Sequence, residues 1–240
     1  MSESRVRVCV AKLGGSLLAD ADLAPRLRRW LTAELDSHGV THYVLVTGGG
    51  VLVDVMRELD ARHGLDQRAV HWACIELMDV TARLTAAILP DVLVEDDFAA
   101  LRRRCERPGA TILRPGRFLR KVEPVLPGTR LAEDWTVTSD SIAARLAIVL
   151  TADELVLVKS APPAVPLSPW EKAGVRVPCD RNQSLVASVT PGREQAVGRF
   201  LNALVAAGYV DEFFVRLAAE LPALRIATLE PSSCIGESPE

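Results

Sequence analysis

Apolar residues come in two rhythms along this chain, short solid runs and longer stretches spaced three or four apart, and the two alternate. The first run, Val6 to Leu13, reads as a buried strand; it ends in Lys12-Leu13-Gly14-Gly15-Ser16 before Leu17-Leu18 opens a helical turn. Ala24 to Ser37 then carries helical spacing through Leu27, Trp30, Leu31 and Leu35, with His38-Gly39 as its stop. Tyr43 to Thr47 is a second solid run, followed at once by Gly48-Gly49-Gly50. A strand, a helix and a strand at this spacing predict a βαβ unit with parallel strands. Val51 to His63 and Gln67 to Ile88 are predicted as two further helices.

From Asp91 to Pro127 the pattern predicts three short strands, VLVED, TILRP and KVEPVLP, with a helix carrying Arg102 to Arg104 among them. Ile142 to Leu150 is an apolar helix, and Leu155 to Lys159 the next buried strand. A loop rich in proline follows, from Ser160-Ala161-Pro162-Pro163 to Pro169. Val175–Val177 and Leu185–Val189 are short strand candidates. Arg193 to Ala207 is a helix stopped by Gly208, Tyr209 to Leu221 another helix, and Leu224 to Leu229 a last strand. The tail from Pro231 is expected to fray. No repeat and no linker interrupts the chain, so residues 1–240 are expected to form a single domain.

Composition changes this picture little. The 240 residues are 49% apolar and 25% charged, as in ordinary globular proteins. A net charge of −3 provides no basic field for nucleic acid. The five cysteines stand singly, with no CxxC pair, which argues against a disulfide framework or a zinc site and fits a reducing compartment. The start MSESRVRV has no signal-peptide core, and no apolar run reaches membrane length. The expectation is a cytoplasmic protein with no membrane partner.

The candidate chemistry sits at the glycines. Adjacent glycines between a strand and a helix let a ligand approach the backbone closely, and the helix start behind them offers unpaired N–H groups to an anion. Lys12 adds a full positive charge there, in a chain where only four of the 28 basic side chains are lysines. The spacing is neither a Walker A loop nor a dinucleotide fingerprint, and a tight turn needing glycine for geometry alone is the plainer alternative. A second glycine cluster at the end of the neighbouring strand weighs against that alternative, because ligands of parallel sheets collect outside the carboxyl ends of adjacent strands. Arg57 and His71 are further candidates for a phosphate-bearing substrate, although each is equally ordinary as a surface or capping residue. The Arg102–Arg104 run reads as a solvated helix face. Ser139 or Asp140 either caps the helix that follows or, for Asp140, aims a carboxylate at the lysine and glycine loops.

Five segments in this order, KLGGSLL, VTGGG, TSDSIAARLA, ELVLVK and GYVDEFF, resemble the amino acid kinase superfamily. Together with HWACIELMD, they are most similar to its small members that include the aminomethylfuran phosphate kinases of methanofuran biosynthesis. The resemblance implies an α/β fold, a three-layer αβα sandwich with a mainly parallel central sheet. It assigns the acceptor to residues 1–130 and ATP to residues 131–240, with Mg²⁺ bridging the nucleotide phosphates. Lys12 would neutralise the transferring phosphoryl group and Asp140 would orient Lys12. Gly14, Gly15, Gly49 and Gly50 would hold phosphoryl oxygens, with Ser16 and Gly48 in the same two turns. A phosphate-monoester acceptor needs no strong general base, since its dianion is already nucleophilic. The family's usual Thr-Asp-Val-Asp-Gly turn is replaced here by Ser160-Ala161-Pro162-Pro163. Lys159 with Ser160, or Lys172, would then serve the nucleotide. The resemblance also implies a homo-oligomer, paired through Asp54–His63 or Gln67–Ile88. Two alternatives remain: a kinase for isopentenyl phosphate, a nucleoside monophosphate or an amino-acid carboxylate, and a ligand-binding relative that has lost catalysis.

Overall fold

The computed structural model describes residues 5–164, 184–187, 194–217, 219–221 and 223–229. One seven-stranded sheet runs through them in the order β3-β4-β2-β1-β5-β7-β6. Its strands are β1 (Arg7–Leu13), β2 (Thr41–Thr47), β3 (Leu93–Glu95), β4 (Gly109–Leu113), β5 (Glu154–Lys159), β6 (Ser184–Ala187) and β7 (Ala223–Thr228). Six are mutually parallel, and β6 alone pairs antiparallel, with β7. The solid apolar runs have the cause parallel strands usually give them, burial on both faces.

Alternation within each strand sorts side chains into two layers. Val10, Val44, Val46, Leu155 and Leu157 join one core, packed by α3 (Gln67–Ile88), α5 (Pro115–Lys121), α6 (Ser139–Val149) and α7 (Glu194–Ala206). Cys9, Ala11, Tyr43, Leu45, Val156 and Val158 join the other, under α1 (Leu23–Ser37) and the far end of α3. The architecture is therefore the expected α/β three-layer sandwich with a mainly parallel sheet. The same phase carries Lys12 and Lys159 toward the α6 layer, two residues beyond Val10 and Leu157 respectively.

α2 (Val51–His63) and α3 have the predicted bounds. Gly50 and Gly64 bracket α2 at φ +57°, a backbone state that glycine enters without a Cβ penalty. Asp66 starts α3 by accepting from the Ala69 N–H at 2.8 Å.

Three expectations need correction. KVEPVLP forms no strand: α5 runs to Lys121 and Glu123–Val125 is a 3-10 turn. The physical reason is a buried ion pair, since the Glu123 carboxylate accepts from Arg145 Nε at 3.2 Å and from the Leu131 N–H at 3.2 Å, wrapping the chain around itself. Tyr209–Leu221 is helical only over a 3-10 stretch, Glu212–Leu217. Its first turn is diverted because the Tyr209 carbonyl accepts from Lys159 Nζ at 2.6 Å rather than from its own helix. The turn that opens after Gly14 is also 3-10, at Gly15–Ala19. The Val175–Val177 candidate lies outside the described residues, while Leu185–Val189 overlaps β6. α4 (Phe98–Arg104) ends in the arginine run, and Arg104 Nε pairs with Glu95 at 3.2 Å.

Among the described residues, no helix is long and apolar enough to cross a membrane. Cys9, Cys74 and Cys105 are free and buried.

Candidate active site

The two glycine turns leave the carboxyl ends of β1 and β2 side by side, which the parallel register Leu13 to Thr47 requires. They touch. A Cβ on Gly15 would lie 2.1 Å from the Gly50 nitrogen, and one on Gly48 would lie 2.9 Å from the Gly15 nitrogen. Glycine is needed here because the backbones themselves are in contact, not merely for turn geometry. The five turn glycines have different duties. The Gly14 N–H donates to the Val158 carbonyl at 2.8 Å and the Gly48 N–H to the Leu13 carbonyl at 2.9 Å, so these two extend the sheet ladder. The amides of Gly15, Ser16, Gly49 and Gly50 take no part in that ladder and are the ones able to face an anion. Gly15→Ala is therefore expected to push the turns apart and lower turnover about 10²-fold, as misplacement of a reacting group by an ångström does. The fold should stay intact, and circular dichroism with a turnover assay checks both.

Beneath the turns lies a charge cluster. Lys12 Nζ is 3.0 Å from Asp140 Oδ1, and Lys159 Nζ is 3.1 Å from both Asp140 oxygens. Lys12 and Asp140 are only 4% and 5% exposed, so the pairing is nearly dry. Two ammonium groups share one carboxylate. Burial by itself raises the Asp140 pKa, but Lys12 and then Lys159 outweigh it and hold the group below the usual carboxylate range. Burial pushes Lys159 down to about 8; Asp140 opposes that push and Lys12 adds to it. Asp140 Oδ1 has no hydrogen bond aligned on it despite both ammonium neighbours.

Asp140 is free for this work because it is not the cap. Thr138 starts α6, its Oγ1 accepting from the Asp140 N–H at 3.4 Å. Of the two sequence readings, capping thus falls to neither Ser139 nor Asp140.

A cleft of about 390 Å³ opens over the cluster. It gathers Lys12, Gly15, Ser16, Gly48, Gly49, Gly50, Arg57, His71, Asp140 and Lys159. Gly14 and Ser160 do not line it, although the Ser160 hydroxyl lies 3.3 Å from that of Ser16 at its edge. Arg57 pairs with Asp54 at 2.6 Å and stacks 5.3 Å over the Trp135 ring. His71 is buried rather than solvated; burial lowers its pKa against a weak 3.4 Å contact with the Asp134 carbonyl. Sequence reasoning missed Trp135, Asp134, Thr138, Tyr209 and Asp211, all of which line the cleft. Only the GYVDEFF match carried a signal for the last two. Lys172 lies outside the described residues.

The donor set suits anionic oxygens better than a resident metal. Among the described residues no group of three or more His, Cys, Asp or Glu side chains could hold a cation, and Asp140 is already shared by two ammonium groups. Free amides and lysines suit phosphate oxygens, and Mg²⁺ commonly arrives held by phosphates rather than by a protein cage.

Fold and site together define a mainly parallel sheet protein whose strand ends carry two touching glycine turns over a buried lysine–carboxylate cluster. The sequence pattern of the amino acid kinase family matches residues 7–163, well over half of the chain. This chain belongs to the amino acid kinase family. It is 27% identical over 149 residues to the [5-(aminomethyl)furan-3-yl]methyl phosphate kinase of Methanocaldococcus jannaschii, a match covering 62% of this chain and 63% of that protein. Among solved structures it resembles the UMP kinase of Ureaplasma parvum (TM-score 0.59, 14% identity, 93% of this chain and 90% of that one). It also resembles the UMP kinase of Bacillus anthracis (0.59, 14%, 95% and 90%) and the uridylate kinase of Archaeoglobus fulgidus (0.55, 14%, 92% and 90%). At that identity these structures share the fold.

Proposed function

We propose that the protein is an ATP-dependent kinase that transfers the γ-phosphoryl group to a small phosphate monoester, with aminomethylfuran phosphate as the first acceptor to test. The observation that carries this reading is the Lys12–Asp140–Lys159 cluster lying directly beneath two touching glycine turns. Phosphoryl transfer asks a protein mainly for positioning and for positive charge where charge spreads in the transition state. Lys12 and Lys159 supply that charge and Asp140 keeps the two ammonium groups aimed at one point. The amides of Gly15, Ser16, Gly49 and Gly50 would hold phosphoryl oxygens. Mg²⁺ carried on the nucleotide would supply further neutralisation when bound. Residues 1–130 would receive the acceptor, with Arg57 and His71 on its side, and residues 131–240 the nucleotide, with Lys159 and Ser160 at their boundary. The furan assignment is supported by the similarity to the Methanocaldococcus jannaschii enzyme.

The test is incubation with Mg-ATP and a panel of acceptors (aminomethylfuran phosphate, isopentenyl phosphate, UMP and free amino acids), following ADP release. Turnover with the furan phosphate alone supports the full reading. Turnover only with another acceptor keeps the kinase and discards the furan. Acceptor binding without ATP affinity supports the second reading, a relative that binds without catalysis. That reading has one observation in its favour: Ser160-Ala161-Pro162-Pro163 replaces the family's nucleotide turn, and the Tyr209 hydroxyl ties it down by donating to the Ala161 carbonyl at 2.8 Å.

The pKa of Lys159 leads to a pH prediction. Its ammonium form is the useful one, and it is lost as pH rises through about 8. Turnover is therefore expected to fall on the alkaline side with a midpoint near there, and a pH–kcat profile checks it. A homo-oligomer belongs to the same proposal. No residue of α2 is buried, and Val51, Val55 and Leu59 face outward, an apolar stripe that a second copy would cover.

A further inference from the structure

We propose that Asp211 is a positioning residue: it fixes the start of α6 so that the Asp140 carboxylate stays centred between Lys12 and Lys159. The inference rests on the kinase reading above. Asp211 comes from the far end of the chain, yet its carboxylate collects donors from the first turn of α6. Oδ2 accepts from the Thr138 N–H at 3.0 Å, the Thr138 hydroxyl at 2.7 Å and the Ser141 N–H at 3.1 Å. Oδ1 accepts from the Ser141 hydroxyl and, at 2.9 Å, from the Phe214 N–H of its own segment. A helix start leaves its first N–H groups without partners, and here a side chain about seventy residues away supplies one.

The link to Asp140 is short. The Thr138 hydroxyl has a single hydrogen, which it donates to Asp211, leaving lone pairs to accept from the Asp140 N–H at 3.4 Å. Asp140 sits in that same first turn, so the placement of the turn sets where its Cβ points. The segment holding Asp211 also grips the other side of the cluster, because the Tyr209 carbonyl accepts from Lys159 Nζ at 2.6 Å and the Tyr209 ring lies 4.9 Å from that nitrogen. The groups facing Lys159 are thus Asp140 from α6, Lys12 from β1, and the uncharged carbonyl and ring of Tyr209. If α6 loses its clamp and the carboxylate drifts, Lys159 keeps its burial and the repulsion of Lys12 while losing the one negative charge beside it. Its pKa must then fall.

The chain's four lysines make this measurable without turnover. Full-length protein with ¹³C-labelled lysine, its resonances assigned by single Lys→Arg variants, is titrated as wild type and as Asp211→Asn. The expected result is a Lys159 midpoint about one pH unit lower in the variant, the scale on which a lost charge partner acts. Alongside it kcat should drop at least about tenfold, as catalytic groups are misplaced, with acceptor KM changed by less than about twofold. Thr138→Val removes the linking hydroxyl at nearly constant size; it should shift the midpoint the same way, and it decides the matter if Asp211→Asn does not fold. A Lys159 midpoint unchanged in a folded variant overturns the proposal and leaves Asp211 a purely structural cap. The titration also separates the two readings: if the wild type forms no ADP but the variant's Lys159 midpoint is still lowered relative to it, the kinase is discarded and the positioning kept.

Discussion

Replacing Lys12 by methionine is expected to lower kcat/KM for ADP formation by about 10³-fold, the upper range for loss of one preorganised electrostatic donor. Methionine fills a similar buried volume, so the loss isolates the charge. The variant is expected to fold at least as well as the wild type. Without a bound phosphate the cluster holds two ammonium groups against one carboxylate, nearly out of contact with water. Removing Lys12 leaves a neutral Lys159–Asp140 pair in place of a net positive one. Sites strained toward their ligand commonly gain stability when the strained group is removed. The two halves of this expectation pull in opposite directions, so a generally damaged protein could not imitate it. A second signature follows from Lys159. Lys12 helps hold its pKa down, and without that repulsion the alkaline limb of any residual activity moves to higher pH. A coupled assay for ADP and a thermal melt decide the matter. Retention of more than about a tenth of wild-type turnover would remove Lys12 from the transfer step.

Arg225→Met is expected to cost about 3–5 kcal/mol of folding stability, the usual consequence of taking one partner from a buried ion cluster. Arg225 on β7 forks onto Glu34 of α1 through two bonds, Nη1 to Oε1 at 2.7 Å and Nη2 to Oε2 at 2.6 Å. Its Nε also donates to Glu154 of β5 at 3.2 Å. The Tyr43 hydroxyl of β2 donates to Glu34 at 2.6 Å, so one guanidinium helps join a helix to three strands. Without it, Glu34 keeps the Tyr43 hydroxyl and Glu154 keeps Arg7 at 3.4 Å, but the two buried carboxylates lose the guanidinium they share. The pH dependence carries the sign. In the wild type, burial raises the Glu34 pKa, but the Arg225 bonds outweigh it and the net shift is downward. That stabilisation is present above the ordinary carboxylate pKa and is lost as pH falls through the depressed one. In the variant burial acts unopposed by Arg225 and raises the Glu34 pKa, so stability should instead fall as pH rises through the carboxylate range. The gap between the two proteins in urea unfolding should therefore be large at about pH 7 and shrink by about pH 4.5. A gap independent of pH would mean that packing, not charge, is what Arg225 provides.

Much of the architecture was legible because its causes are local. β1, β2 and β5 are solid apolar runs, α2 begins and ends on Gly50 and Gly64, and α3 begins on Asp66, residues whose own chemistry starts or stops a helix. KVEPVLP misled because its apolar residues mimic a strand, while the force that turns it is the Glu123–Arg145 pair, 22 residues apart. Tyr209–Leu221 misled for the same kind of reason: its first carbonyl is taken by Lys159, 50 residues earlier.

The sequence offered Lys12 and both glycine turns from the residues themselves, and Asp140 as their companion through the family resemblance; the structure brings all of them to one cleft. The structure adds that Lys12 and Lys159 point to the same layer, each two residues beyond a member of one core, Val10 and Leu157. Only the tertiary structure decided that Lys159 completes the cluster on Asp140, that Thr138 rather than Ser139 or Asp140 caps α6, and that Asp211 clamps that cap. The Lys159–Asp140 and Thr138–Asp211 contacts join groups 19 and 73 positions apart, and no local preference for helix or strand depends on them. They arise where β1, β5, α6 and the segment before Glu212 converge. At such a point burial forces every charge and every N–H to find a partner, and which partner it finds is a matter of distance in space.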